Sequence, residues 1–308
     1  MIEVLKPIAR SAEWFSRSHQ NGRPNCALVS CAGPKSLWQR IFRPRMGAFL
    51  HGHYYCSSRC LEIALMQQIS RLHTVLPSVP PANRIPLGLL MVARGKLTHL
   101  EVRAALEAQR RARYGSIGDW IEKLGFASER EVTAALALQW GCPVASSFDL
   151  CADNSRASIP LAILEAFRMI PFNYAESTKT LYVAFGARVD HAALYAVEKI
   201  LDCRTQPCVA SPKRIARQLE QLRQLPRPND VEFFTRDLSE TVRITSSYIA
   251  RVSPDEVRLN RIGRFVWLRL TRRPLLTNLV FFLEPPAVQS QTPATLFASQ
   301  FGGGYENV

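Results

Sequence analysis

One helical unit is written twice in this chain, and that duplication restricts what its middle can fold into. The segment Leu87 to Thr98 (LGLLMVARGKLT) aligns with Ile117 to Ser128 (IGDWIEKLGFAS). Gly88 falls on Gly118, Gly95 on Gly125, Glu101 on Glu131, Ala105 on Ala135, Leu106 on Leu136 and Gln109 on Gln139, each pair 30 positions apart. Six coincidences at one offset mark a duplicated supersecondary unit.

Each copy reads as two short helices with a break at its second glycine. Thr98-His99-Leu100-Glu101 and Ser128-Glu129-Arg130-Glu131 have the form of a capping box, in which a hydroxyl and a glutamate satisfy each other's backbone amides. Apolar residues follow at helical spacing: Val102, Ala105, Leu106 and Val132, Ala135, Leu136. The glycines before the boxes fit helix C-caps with positive φ.

The pair resembles the N-terminal domain of the ATPases that drive type II secretion and type IV pilus assembly. In particular it is similar to the tandem 24-residue motif of that domain, which opens Arg-Leu-Gly, repeats glycine seven positions on and closes Leu-x-x-Gln. Leu87, Gly88, Gly95, Leu106 and Gln109 keep the pattern in the first copy, and Ile117, Gly118, Gly125, Leu136 and Gln139 in the second. Pro86 and Ser116 stand where the motif has arginine, with Arg84 and Arg113 nearby but out of register. The resemblance implies cyclic di-GMP as ligand, with Leu87, Gly88, Gly95, Gln109, Ile117, Gly118, Gly125 and Gln139 as the carried-over binding positions. It also implies partners among the inner-membrane assembly proteins of a secretion or pilus system. A purely structural reading stays open: the glycines cap helices and the glutamines bond between the repeats.

Four cysteines form two close pairs, Cys26-x4-Cys31 and Cys56-x3-Cys60. In a chain without an export-like start, paired cysteines point to metal before disulfide. The second pair leads into an amphipathic helix to about Leu72, an arrangement that resembles small treble-clef zinc modules. Four thiolates would close the coordination of a structural zinc. His51 and His53 are alternative ligands, and four reduced, unligated thiols are the competing reading. Cys142, Cys151, Cys203 and Cys208 show no ligand spacing and read as core thiols.

The chain of 308 residues has 47% apolar residues and a net charge of +14, concentrated in its first 80 residues and its C-terminal third. Such a surface meets nucleic acid, anionic lipid or an acidic protein, or is simply solvated. Lys35 to Arg45 interleaves basic side chains with Trp38 and Phe42, which fits either a nucleic-acid platform or a loop packed under the zinc module.

The expected fold class is α+β and multidomain. Residues 1–76 form a zinc-module-like N-terminus, 77–83 a proline-rich linker and 84–144 the tandem helical repeat. Residues 145–224 form a small α+β domain, which again resembles the secretion-ATPase N-terminal region. Residues 229–285 read as a helix with antiparallel strands, and 286–308 as a disordered tail.

No Gly-x4-Gly-Lys-Ser/Thr loop cradles phosphates, and no Gly-x-Ser-x-Gly, His-Glu-x-x-His or Gly-x-Gly-x-x-Gly motif occurs. The six histidines show no catalytic pairing. The expectation is a non-enzymatic regulatory or adaptor protein lacking the ATPase motor, cytoplasmic and peripheral to the inner membrane. The alternative is a nucleic-acid-binding zinc protein.

Overall fold

The run Phe265-Val266-Trp267-Leu268-Arg269-Leu270 is buried along its whole length, and a strand of that kind needs cover on both faces. A computed structural model describes residues 25–31, 47–74, 84–145, 159–227, 229–235 and 237–283, and that strand lies inside the larger of its two sheets. Residues 1–24 of the expected zinc-module-like N-terminus, the basic and aromatic stretch at 35–45, the linker at 77–83, Cys151 and the tail at 286–308 lie outside the described residues.

The N-terminal part gives β1 (Ala48–Leu50), β2 (His53–Tyr55) and helix α1 (Ser58–Thr74). His51 and Gly52 join the two strands with φ of 49° and 81°. Two positive φ values in a two-residue loop match the twist that a hairpin favours.

The duplicated unit is four helices: α2 (Leu87–Ala93), α3 (His99–Ala112), α4 (Ile117–Lys123) and α5 (Glu129–Trp140). Both expected capping boxes are present, Thr98 with Glu101 and Ser128 with Glu131. Ser116 and Asp119 make a third at the start of α4.

Next come α6 (Leu161–Phe167), β3 (Met169–Ala175), β4 (Thr180–Phe185), α7 (His191–Leu201), β5 (Arg204–Val209) and α8 (Pro212–Gln224). The three strands form one sheet in the order β3-β4-β5, antiparallel then parallel. Helix α7 carries Ala193, Leu194, Ala196, Val197 and Ile200 into the core.

The chain closes with β6 (Asp230–Thr235), α9 (Leu238–Val252), β7 (Glu256–Ile262), β8 (Phe265–Arg272) and β9 (Leu275–Leu283). The expected antiparallel strands are there, but they form part of a mixed six-stranded sheet ordered β2-β1-β7-β8-β9-β6. β1 pairs with β7 in parallel, and so does β6 with β9. The cysteine-bearing segment and the C-terminal strands, far apart in sequence, therefore share one sheet.

Alternate residues of β8 feed two cores. Val266, Leu268 and Leu270 pack with Leu50, Leu61, Leu65 and Ile69 of the N-terminal segment and Ile249 of α9. Phe265 and Trp267 join Ile262, Val280 and the core of the α+β unit, where the Phe167 and Phe265 rings meet at 6.1 Å. A set of polar groups on that side is paired. Fully buried Asn278 accepts from Trp267 Nε1 at 3.1 Å and donates to Asp230 at 2.8 Å.

At the β1–β7 junction the amides of Phe49 and His51 donate to the carbonyls of Asp255 and Val257. The Leu259 amide donates to Nε2 of His51 at 3.3 Å, so this imidazole serves the fold in its neutral form. Burial, and then the Arg258 charge, push its pKa below the ordinary 6.5. A depressed folded value means a contribution present in full above 6.5 and lost as the pH falls from there through the folded value. The wild type is expected to lose more stability between pH 7 and 5, followed by urea denaturation, than His51→Asn, whose amide oxygen still accepts. Equal losses would remove the imidazole from the account of this junction.

Candidate functional site

Two clusters of functional side chains stand out, one of sulfur and one on the tandem helices. Cys26 and Cys31 lie on the segment before β1, which is held by donation from the Ala27 amide to the Tyr54 carbonyl at 2.8 Å. Cys56 follows β2, and Cys60 sits in the first turn of α1 with its amide donating to Ser57 Oγ at 3.3 Å. The hairpin and the helix start thus aim all four thiols at one point.

Their sulfur atoms lie within 4.8 Å of one another. Individual separations are 3.5 Å for Cys31–Cys56, 3.8 Å for Cys56–Cys60 and 3.7 Å for Cys60–Cys31. A zinc–sulfur bond of about 2.3 Å places the sulfurs of a regular tetrahedron about 3.8 Å apart, so the donor set fits a tetrahedral soft-ligand metal. All four are free thiols. Burial pushes the Cys26 thiol up, but donation from the Cys56 and Leu28 amides and the neighbouring thiols outweighs it, and the net shift is downward. Burial and the neighbouring thiols push Cys56 up to about 12. His51 is committed to β7 rather than to this cluster. Away from it, Cys142, Cys203 and Cys208 are free thiols whose pKa values burial raises.

On the tandem helices, every carried-over position has a place in the packing. A Cβ on Gly88 would come within 2.8 Å of Val102 Cγ1, and one on Gly118 within 2.9 Å of Val132 Cγ1. These glycines let α2 and α4 lie directly on α3 and α5. Gly95 and Gly125 turn the chain at φ of 65° and 73°. Leu87 is buried and Ile117 packs against the same core.

The glutamines are reciprocal. Gln109 Nε2 donates to the Gly115 carbonyl at 2.9 Å, and Gln139 Nε2 to the Ile85 carbonyl at 2.7 Å. Gly115 and Ile85 are equivalent positions, each just ahead of the copy opposite. Each copy therefore clamps the start of the other, and the two form a pseudo-two-fold pair.

The same equivalence brings out side chains that motif matching missed. The Arg84 guanidinium lies 3.8 Å over the Trp140 ring and donates through Nη1 to the Gln139 carbonyl at 3.0 Å. Thirty residues on, Tyr114 packs on Trp120 with ring centroids 5.6 Å apart. Lys123 Nζ lies 5.0 Å and 4.7 Å from those two rings. Arg84 and Tyr114, equivalent positions just ahead of the two copies, thus each belong to a cation–aromatic cluster. The signal in the sequence was Arg84 itself, two positions ahead of the motif's first residue. Arg113, by contrast, ends α3 in a left-handed conformation, its amide donating to the Gln109 carbonyl.

The unit is anchored to α8 through Lys213, which bridges Glu122 at 2.8 Å and Glu129 at 3.5 Å. Ser211 adds a hydrogen bond to Glu129.

No family model matches the chain, and no curated protein matches it. Among solved structures it is similar to MshE with cdg, at 24% identity and a TM-score of 0.36, over 45% of this chain and 99% of that one. It is also similar to the N-terminal domain of XpsE, at 18% identity and a TM-score of 0.34, over 44% of this chain and 92% of that one. Among the described residues, no helix is long and apolar enough to cross a membrane.

Gly88→Ala forces a methyl group against Val102 and is expected to cost about 1–3 kcal/mol in urea unfolding. Val102→Ala in the same chain should relieve part of that cost. If Gly88→Ala is neutral to stability, the glycine is there for something other than packing.

Proposed function

We propose that this chain is a non-enzymatic regulatory or adaptor protein whose tandem helical unit receives cyclic di-GMP. The observation that carries the reading is a cation–aromatic cluster beside each copy, Arg84 with Trp140 and Lys123 with Tyr114 and Trp120, of which Arg84 and Tyr114 occupy equivalent positions of a pseudo-two-fold unit. Cyclic di-GMP is itself two-fold, with two guanines and two phosphates. Bases stack on aromatic and guanidinium planes, and arginine and lysine pair with phosphate. In this reading Arg84 does what Pro86 cannot, from two positions earlier, and Arg84 Nε is still without a hydrogen-bond partner. The motif glycines and glutamines shape the surface rather than grip the ligand.

The matching partner class is an assembly protein of a secretion or pilus machine at the inner membrane. Lys213 and Ser211 of the α8 start touch Glu122 and Glu129 of the unit, so a ligand-induced shift of α4 or α5 would be felt by the α+β unit.

Titration calorimetry of the full chain with cyclic di-GMP, with GTP as control, tests this directly. Micromolar binding is expected, weakened about tenfold or more, roughly 1.4 kcal/mol, by Arg84→Ala and by Lys123→Ala at unchanged melting temperature. Absence of binding by calorimetry and by equilibrium dialysis would remove the nucleotide and leave the unit as a protein-docking scaffold.

A further inference from the structure

We propose that Cys26, Cys31, Cys56 and Cys60 hold a single zinc ion, and that this ion fastens the N-terminal segment onto the C-terminal sheet. The inference is independent of the nucleotide reading. It begins from how little else holds the segment at its start. β1 and β2 have three residues each, and among the described residues β1 meets β7 at two paired positions, Phe49 with Glu256 and Leu50 with Val257. Strands of that length are marginal by themselves. Yet Leu50, Leu61, Leu65 and Ile69 from this segment are almost fully buried and complete one of the two cores against β8.

The four sulfurs converge where the segment would otherwise come apart: the chain before β1, the end of β2 and the first turn of α1. The separations among Cys31, Cys56 and Cys60, 3.5, 3.7 and 3.8 Å, match the edges of a zinc–thiolate tetrahedron and are too long for a disulfide bond, and Cys26 completes the set within 4.8 Å. On binding, the thiols give up their protons to solvent and bind as thiolates, and the metal's binding free energy becomes folding free energy. The start of α1 favours the negative charge that results, and the Cys56 and Leu28 amides donate to the Cys26 sulfur. Four protein ligands leave no open coordination position, so the ion is structural rather than catalytic.

The consequence reaches across the sequence: metal loss should loosen β7 and the face of β8 that the segment covers, while the tandem helices keep their fold. The test uses the full chain, purified without added zinc. Elemental analysis should give about one zinc per chain, and cobalt(II) exchanged into the site should show the intense visible absorption of a tetrahedral thiolate complex. Cys203→Ser, a thiol outside the cluster, should keep the metal, and Cys26→Ser and Cys56→Ser should each lose it. Hydrogen exchange after chelation should quicken at Val257 and Leu259 at least tenfold, with α3 and α5 unchanged.

Less than about a tenth of an equivalent of metal, together with an octahedral cobalt spectrum, would overturn the site. A full equivalent of zinc whose removal leaves exchange at β7 unchanged would overturn the fastening role. Should the serine variants fail to fold, chelation and re-addition of zinc to the wild-type chain decide both points.

Discussion

A strand buried along its length has to be covered on both faces, and the rest of this molecule is arranged around that requirement at β8. Trp267 and Phe265 look into the core of the α+β unit, while Val266, Leu268 and Leu270 look into the other core. Truncating a buried Trp or Phe costs about 3–5 kcal/mol, so neither face can be left to water. α7 and α6 cover one side. The other takes α9 from the adjacent sequence and α1 with the β1–β2 hairpin from the opposite end of the chain. The sheet is thereby closed by residues that precede most of the chain.

The tandem unit follows a different economy. Its symmetry lies in its own contacts: glycine against valine within each copy, glutamine to backbone between copies. The motif residues are used up in making a rigid, paired scaffold. The equivalent positions ahead of the two copies carry different side chains, Arg84 over Trp140 in one and Tyr114 beside Trp120 and Lys123 in the other.

Much of this was legible in the chain. Capping boxes are local and chemical, so Thr98–Glu101 and Ser128–Glu131 could be read directly. The strands from Met169 to Phe185 and the long helices α8 and α9 carry their own periodicity. The cysteine spacing announced a cluster before any fold was known. The pairing of β1 with β7 could not be read, because two matched residues in each of two strands some 200 positions apart leave no pattern. β6 was missed for a related reason: Asp-Val-Glu-Phe-Phe-Thr is short, and its Phe234 is 73% exposed at the sheet edge, stacked on Phe282. The clamp made by Gln109 and Gln139 was legible only as one of two readings, since a structural amide and a ligand-binding amide use the same residue type.

Native-state hydrogen exchange resolved by residue is the measurement that bears most directly on the doubly covered sheet. If the two cores that close the faces of β8 unfold as one cooperative unit, amides from Val266 to Leu270 should exchange only through global unfolding. Their opening free energy should equal that of the most protected amides of β4. Amides of β8 that open at distinctly lower free energy than those of β4 would contradict this, and would make the larger sheet a separate, weaker unit resting on the α+β core.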